Sequence, residues 1–251
     1  SLLHPLQQRL HPTKNRLRLM KRVLSILVTT LIATNIFAQV GQLRDNLAIG
    51  FNAGYNLSSV DFSPTIKQGL QPGYTGGATL RYTTEKYFAL ICAAQLEVNF
   101  AQRGWNETID DGSDNTYRRT TNYIEIPFFA HLGWGKENRG FQFFINAGPQ
   151  IGLFLSDEEF YGFTQEKPWD PSNRPNNQTA QYGKKVENTL EYGIAGGAGI
   201  ELKTGIGNFI VEGRYFFGLS DMFGNSKADP FGRSANTTIT AKITYLVDIL
   251  K

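Results

Sequence analysis

The sequence predicts an all-β fold, an eight-stranded antiparallel up-and-down transmembrane β-barrel that is preceded by a cleavable signal peptide. Two observations downstream of residue 46 predict the barrel. Large apolar residues alternate with small or polar ones at every second position, as they do in strands with one apolar and one polar face. The polar face is rich in Gly, Ala, Asn, Gln and Glu, whereas the other face carries Tyr, Phe, Ile and Leu throughout. This division indicates an apolar side that faces lipid.

Residues 20–38 are typical of a signal peptide. Met20, Lys21 and Arg22 form a positive start, a largely apolar run follows at 23–36, and Ala38 supplies a small residue at the cleavage point. A transmembrane anchor is the alternative, but the run is shorter than the roughly 20 residues that a span needs. We therefore expect residues 1–19 to be an upstream extension and residues 39–251 to be the barrel domain.

The basic charge of the chain belongs to this leader. The whole chain has a net charge of +3, but without residues 1–38 the Lys and Arg residues fall from 25 to 19 against 22 acidic residues. The mature net charge is then −3. No nucleic-acid partner is therefore expected.

The first four strands are expected at 47–58, 74–83, 87–102 and 117–134. Each sets aromatic and aliphatic side chains on one face against polar or small side chains on the other. The opposed sets are, in chain order, Ile49, Phe51 and Tyr55 against Asn52 and Asn56; Leu80 and Tyr82 against Thr79 and Arg81; Leu96 and Val98 against Gln95 and Glu97; Ile124 and Phe128 against Glu125 and His131.

The last four strands are expected at 141–155, 187–203, 208–219 and 237–250, and they follow the same rule. Their opposed sets are Phe143 and Ile151 against Gln142 and Gln150; Tyr192 and Ile200 against Glu191 and Glu201; Phe209 and Tyr215 against Glu212 and Arg214; Ile243 and Val247 against Thr240 and Lys242.

The connections between these strands alternate in length. Short links fall at 84–86, 135–140 and 204–207, and long ones fall near 59–73, 103–116, 156–186 and 220–236. This alternation is typical of a barrel in the bacterial outer membrane, with long loops outside and both termini periplasmic. A soluble lipocalin-like barrel is the alternative, but it would turn its apolar face inward around a ligand. The small residues of the polar face argue against it.

Four motifs carry a resemblance to a known family. They are Tyr-Ile-Glu-Ile-Pro at 123–127, Asn-Ala-Gly-Pro at 146–149, the glycine-rich stretch at 192–202, and Glu-Gly-Arg-Tyr at 212–215 with Gly-Leu at 218–219. Together they resemble the PorT-type family of small outer-membrane β-barrel proteins over nearly all of 47–250. The resemblance implies a barrel and leaves its role open, although the named member takes part in type IX secretion. One departure is the C-terminus, which ends in Lys251 where such barrels often end on an aromatic residue.

Ionisable residues on the inner face are the first candidate site. Eight strands leave an interior that side chains just fill, so charges there must pair or reach water. Two interpretations follow, an interlocked polar plug that stiffens the barrel or a narrow ion or proton path. Arg214 is expected to meet Glu201 and Glu212 across neighbouring strands. The proposed lumen network is Arg81, Glu97, Glu125, His131, Glu191, Glu201, Glu212, Arg214 and Lys242.

The long loop at 156–186 is the second candidate site. Loops of this length are usually functional or disordered, and exposed aromatic residues suit contact with a partner protein or a glycan. A mobile loop that shields the barrel is the alternative. The binding candidates are Phe160, Tyr161, Phe163, Trp169 and Tyr182.

The sequence offers little for catalysis. His131 is the one histidine beyond the leader, Cys92 is the one cysteine, and no Gly-x-Ser-x-Gly motif is present. We therefore expect no enzymatic activity, no cofactor and no metal. The expected partners are outer-membrane lipid, lipopolysaccharide, and envelope or secretion-system proteins that meet the outer loops. The expected role is in envelope structure or partner binding, with a secretion accessory or a narrow channel as alternatives.

Overall fold

The computed structural model describes residues 41–172, 174 and 177–250, which form nine β-strands. The strands are β1 (Gln42–Ser63), β2 (Gln68–Gly69), β3 (Gln71–Tyr87), β4 (Leu90–Glu107), β5 (Thr116–Gly135), β6 (Gly140–Gly162), β7 (Leu190–Lys203), β8 (Asn208–Gly218) and β9 (Arg233–Leu250). The expected extension and signal peptide lie outside the described residues.

Eight of these strands close into a ring. β1 pairs with β3 on one side and with β9 on the other, and every other long strand pairs antiparallel with its neighbours in the chain. The two-residue β2 is an addition that pairs with the end of β4. The predicted eight-stranded up-and-down barrel is therefore confirmed. None of the described residues belongs to a helix long and apolar enough to cross a membrane.

The two faces of the ring differ as the alternation predicts. Along β8, buried and exposed residues alternate without interruption. The exposed positions of the long strands carry large apolar side chains, which we call the lipid-facing belt. Its members include Phe51, Leu96, Phe143, Tyr192, Val211 and Ile243. The apolar side of the barrel is therefore its outside.

Several strands continue past this belt, and the predicted loop boundaries need correction there. β1 reaches Ser63, β4 reaches Glu107 and β6 reaches Gly162, although 59–73, 103–116 and 156–186 were expected to be loops. The backbone ladder persists while outward side chains such as Asp61, Arg118 and Glu158 become polar. An apolar alternation marks only the part of a strand that contacts lipid, so it ends before the strand does.

The short connections lie together at one end, which we call the short-turn rim. Gly135 and Gly207 adopt φ values of +140° and +143°, which favour glycine. Thr204 closes the last turn through its backbone amide, which donates to the carbonyl of Gly207 at 3.0 Å. β1 begins and β9 ends at this rim, and the long connections gather at the opposite one, the long-loop rim.

The glycines of β7 make room for aromatic rings inside the barrel. A Cβ on Gly199 would lie 2.6 Å from the ring of Phe144, and one on Gly193 would lie 2.7 Å from the ring of Phe216. Both rings point inward and are buried. The glycine-rich stretch at 192–199 therefore lets bulky side chains fill a narrow lumen.

Candidate functional site

All nine ionisable residues proposed for the inner face lie inside the barrel, and none is more than 7% exposed. The alternation of β3, β4, β5, β7, β8 and β9 turns their side chains toward the axis. Eight of them, together with Arg103, form three layers of ion pairs, which we call the lower, central and upper layers, counted from the short-turn rim.

The lower layer centres on Arg81. Its guanidinium donates to Glu201 at 2.5 Å and to Gln95 at 3.0 Å. His131 lies nearby against the ring of Phe144, with ring centroids 4.6 Å apart. Within the described residues, no hydrogen bond reaches either ring nitrogen of His131. The geometry gives His131 a packing role and no contact with a nucleophile or a carboxylate.

The central layer is built around Glu97. Its carboxylate accepts two hydrogen bonds from Arg214, at 3.0 and 2.9 Å, and one from Lys242. Arg214 also donates to Glu212 at 2.6 Å and stacks its guanidinium 4.4 Å from the ring centre of Phe129. Two positive and two negative groups therefore balance each other at the middle of the lumen.

The upper layer centres on Arg103, which the sequence analysis did not include. Its guanidinium pairs with Glu125 and with Glu191, the latter at 2.6 Å. The same group lies 4.3 Å from the ring centre of Phe216. Asn236 donates to the second oxygen of Glu191 at 2.6 Å. The two carboxylates outnumber the single cation here, so this layer has a formal charge of −1.

The register corrects one expected contact. Arg214 does not meet Glu201, because Arg214 pairs with Gly197 whereas Glu201 pairs with Ile210, four residues nearer the turn. Glu201 binds Arg81 from the far side of the ring instead. Alternation shows which way a side chain points, but the partner across the lumen depends on the height that the register sets.

Arg119 is a second buried arginine that the proposed lumen network did not include. Arg119 is buried and pairs with Asp157 and, at 2.8 Å, with Glu159. Both arginines continue the inward positions of their strands beyond the belt, Arg103 after Glu97 and Arg119 before Glu125. Extending the two-residue period into the predicted loop at 103–116 would have found Arg103, and following it through the predicted strand at 117–134 would have found Arg119.

Above Arg119 the lumen ends in an apolar cluster, which we call the aromatic cluster. It contains Val60, Phe62, Ile66, Trp105, Tyr117, Met222, Phe223 and Phe231, all buried. The rings meet edge to face, at a tilt or stacked, with Phe62 and Trp105 5.2 Å apart edge to face and Phe223 stacked 5.7 Å from Phe231. Such pairs add about 0.5–1.5 kcal/mol each beyond area burial. This cluster and the loops around it form a cap on the long-loop rim.

Arg174 fixes the long loop to this cap. Its guanidinium pairs with Asp111, donates to the Tyr182 hydroxyl at 3.0 Å, and lies 4.6 Å from the ring centre of Trp169. The Tyr182 hydroxyl in turn donates to Glu107 at 2.9 Å. The described part of the loop is therefore tied to the connection at 108–115 and to the end of β4.

The five aromatic binding candidates do not form one exposed surface. Phe160 and Phe163 are 52% and 59% exposed. Tyr161, Trp169 and Tyr182 are half-buried against the aromatic cluster, so the expectation that all five are exposed is corrected. Phe160 and Tyr161 also belong to β6 and not to a loop. The loop folds inward because its aromatic rings pack against the apolar end of the lumen.

Two openings adjoin the ion-pair layers within the described residues. A cavity of about 10 Å³ lies between the central and upper layers, beside Arg103, Arg214 and Lys242, which is at the lower limit for one water molecule. A larger opening of about 660 Å³ lies at the short-turn rim, and its lining includes Arg44 and Glu137. Its lining also includes Lys203, which lies 3.8 Å from Glu201, so the opening leads onto the lower layer.

Three carboxyl groups near the two rims have shifted pKa values. Arg44 and Lys86 donate to Glu137 in the β5–β6 turn, and these contacts lower the pKa of Glu137 to about 2. In the cap, hydrogen bonds from Ser113 and Arg174 lower the pKa of Asp111. Burial raises the pKa of Glu107 at the end of β4, although Gln181 and Tyr182 donate to it. Pairing therefore explains the first two shifts and burial explains the third.

The described residues contain no group of three or more His, Cys, Asp or Glu side chains placed to hold a metal ion. Cys92 is a free thiol on the outward face of β4, only partly exposed, opposite Leu132.

Residues 37–224 match a family model described as outer membrane protein beta-barrel domain. No curated protein matches the chain.

Solved structures with a similar fold are distant in sequence. OprG from Pseudomonas aeruginosa is 11% identical, with a TM-score of 0.43 over 82% of this chain and 98% of that one. Neisserial surface protein A is 10% identical, with a TM-score of 0.37 over 79% and 96%. Ail of Yersinia pestis, in complex with the heparin analogue sucrose octasulfate, is 13% identical, with a TM-score of 0.35 over 81% and 100%.

Proposed function

The chain belongs to the family of outer membrane protein beta-barrel domains and lies in the bacterial outer membrane, and we propose that it serves there as a non-enzymatic barrel with a closed lumen. Its long-loop rim faces outside and its termini lie in the periplasm, as is usual for such barrels. Its role is to support the envelope or to bind partners through the cap.

The observation that carries this proposal is the succession of arginine layers across the lumen. Arg81, Arg214 and Arg103 each bind carboxylates from other strands at a different height. Removing one partner from a buried pair costs about 3–5 kcal/mol, so thermal motion rarely opens even one layer. An ion would have to displace all three and then pass the aromatic cluster.

Planar bilayer recordings test the closed lumen. We expect purified, refolded protein to show no stable conductance steps in 1 M KCl, although heat-modifiable gel mobility shows that it is folded. Stable unitary conductance in most insertions would overturn the proposal and would favour the narrow channel, the alternative in which the ion pairs form a path.

Binding through the cap has its own support and its own test. Phe160 and Phe163 remain exposed on a cap whose other aromatic residues are packed, and rigid presentation lowers the entropy that binding costs. In a deletion strain with a detergent-sensitive envelope, we expect the Phe160→Ser, Phe163→Ser double variant to restore less resistance than the parent. The matched control is Phe88→Ser, because Phe88 is an exposed phenylalanine at the short-turn rim. Equal restoration by all three proteins would leave only the envelope-support role.

An accessory role in type IX secretion is the second candidate. It is supported by the PorT-type motifs at 123–127, 146–149 and 192–202, which in this fold are strand segments of β5, β6 and β7. The test is to delete the protein and to measure whether cargo proteins that carry the secretion signal accumulate in the periplasm. Normal secretion in the deletion strain would exclude this role and leave the proposal above unchanged.

A further inference from the structure

A pocket lies where the ladder between β7 and β8 ends at the long-loop rim. The last paired residues are Gly193 and Gly218. Beyond them the two segments stay connected, because the backbone amides of Leu219 and Ser220 donate to the carbonyl of Tyr192 at 2.9 and 3.3 Å. Farther along, the carbonyl of Met222 accepts hydrogen bonds from the backbone amides of residues 187 and 188 at 3.0 and 3.2 Å. The pocket that both segments line has a volume of about 440 Å³, within the usual range for small-molecule sites.

The lining combines two kinds of surface. The residues nearer the strands are apolar and about half exposed, namely Leu190, Tyr192 and Leu219 at 53%, 52% and 47%. They continue the outward positions of the lipid-facing belt to its upper edge. The remaining lining residues are polar: Glu187, Asn188, Thr189, Ser220, Asp221 and Asn225. An occupant would therefore meet an apolar floor at the membrane surface and polar groups above it.

The charges of the lining favour a ligand with hydroxyl or amine donors. The lining contains two carboxylates and no lysine or arginine, and Lys184 beside it is already paired with Glu187, which disfavours a phosphate. Carboxylates accept hydrogen bonds, whereas asparagine and serine both donate and accept. Asp221 is held in place by Asn225, which donates to it at 2.8 Å. Amides, hydroxyls and carboxylates beside a tyrosine ring suit the hydroxyl groups and the apolar face of a sugar.

We propose that this pocket binds the sugar headgroup of a glycolipid of the outer leaflet, with the acyl chains lying along Leu190, Tyr192 and Leu219. The site is continuous with the lipid-facing belt. An occupant that carries hydrocarbon as well as sugar would therefore cover its apolar floor. A soluble glycan would satisfy the polar groups and leave the floor uncovered. The site does not depend on the closed lumen, because a channel or a secretion component with this fold would have the same pocket.

Native mass spectrometry of the full chain in detergent micelles tests the site. The probes are rough-type lipopolysaccharide, phosphatidylethanolamine, and the delipidated core oligosaccharide. We expect the parent protein to retain lipopolysaccharide about tenfold more tightly than either of the other two. Tyr192→Leu removes the ring but keeps an apolar floor, and Thr189→Trp fills an exposed position of the lining. Each should lower retention about tenfold.

Two controls match these variants. Tyr215→Leu changes another exposed tyrosine of the belt, and Thr237→Trp enlarges a residue on β9 outside the pocket. Both should retain lipopolysaccharide as the parent does, and heat-modifiable mobility verifies that every variant is folded. Equal retention of the two lipids, or equal effects of variants and controls, would overturn the site. Equal binding of the delipidated oligosaccharide would show a soluble glycan as the occupant and would overturn the glycolipid assignment.

Discussion

Arg214 contacts two carboxylates and one aromatic ring in the lumen. It binds Glu97 through two nitrogens and Glu212 through a third, and it stacks on Phe129. A lysine could not reproduce this arrangement, because only a guanidinium offers several donors in one plane together with a face that packs on a ring. The central layer is therefore specific to arginine at this position.

Arg214→Ala should destabilise the barrel by about 3–5 kcal/mol, because it leaves two buried carboxylates with one remaining cation, Lys242. The measurement is the urea dependence of folding in lipid vesicles, followed by gel mobility. Arg118→Ala is the control, since Arg118 is exposed on the outer face of β5 and its loss should change stability by less than about 0.5 kcal/mol. An unchanged midpoint for Arg214→Ala would mean that water reaches the central layer.

At the scale of elements, β7 depends on glycine at positions that face aromatic rings. A Cβ on Gly193 would lie 2.3 Å from the carbonyl oxygen of Phe217 as well as against the ring of Phe216. Neither neighbour can move freely, since one is ladder backbone and the other is buried.

Gly193→Ala should therefore cost about 1–3 kcal/mol through overpacking. Gly213→Ala in β8 is the matched control, because a Cβ there meets no atom within 4 Å. The same urea titration compares the two variants. If both shift the midpoint equally, the cost arises from strand propensity and not from the packing of Phe216.

The elements also show how far the sequence could predict the fold. Strand number and facing follow from local patterns such as the alternation around Phe51 or Tyr192. Strand ends do not, because β3 continues through the short link predicted at 84–86 and Arg103 lies where the outer face has already become polar. Predicting the ion pairs would also require the strand register, since Arg81 and Glu201 are 120 residues apart in sequence. The cap required contacts between loops, such as Arg174 with Asp111, that no local pattern specifies.

Arg174→Ala should release the long loop without unfolding the barrel. The variant loses the contacts with Asp111, Tyr182 and Trp169 together, while the strands keep their own ladder. Limited proteolysis with proteinase K should cut the 163–189 segment at least about tenfold faster than in the parent, because cleavage follows the population of the open loop. Lys185→Ala, at an exposed position of the same loop, should leave the rate unchanged. Equal rates for the two variants would show that Arg174 does not hold the loop.

For the whole molecule, two groups of residues fill the lumen at different heights, the ion-pair layers and the aromatic cluster. The ion-pair layers lie on the strands, which fix each partner through the ladder. The aromatic cluster lies above the belt and is covered by loops that side-chain contacts such as Tyr182 with Glu107 hold to the strand ends. If the layers suffice to close the lumen, the cap is free to vary in sequence and in binding without opening the membrane to ions.

Replacing residues 164–186 with a short Gly/Ser linker separates these two contributions. The variant loses Trp169, Arg174 and Tyr182 from the cap, but all contacts of Arg81, Arg214 and Arg103 remain. We expect a folded, heat-modifiable barrel of lower stability that is still silent in planar bilayers, because the layers below the cap leave a cavity of only about 10 Å³. The Arg174→Ala protein, which keeps the loop but loosens it, should also be silent. Conductance that appears only in the linker variant would identify the cap as the barrier, and the layers would then have to contain a continuous water path.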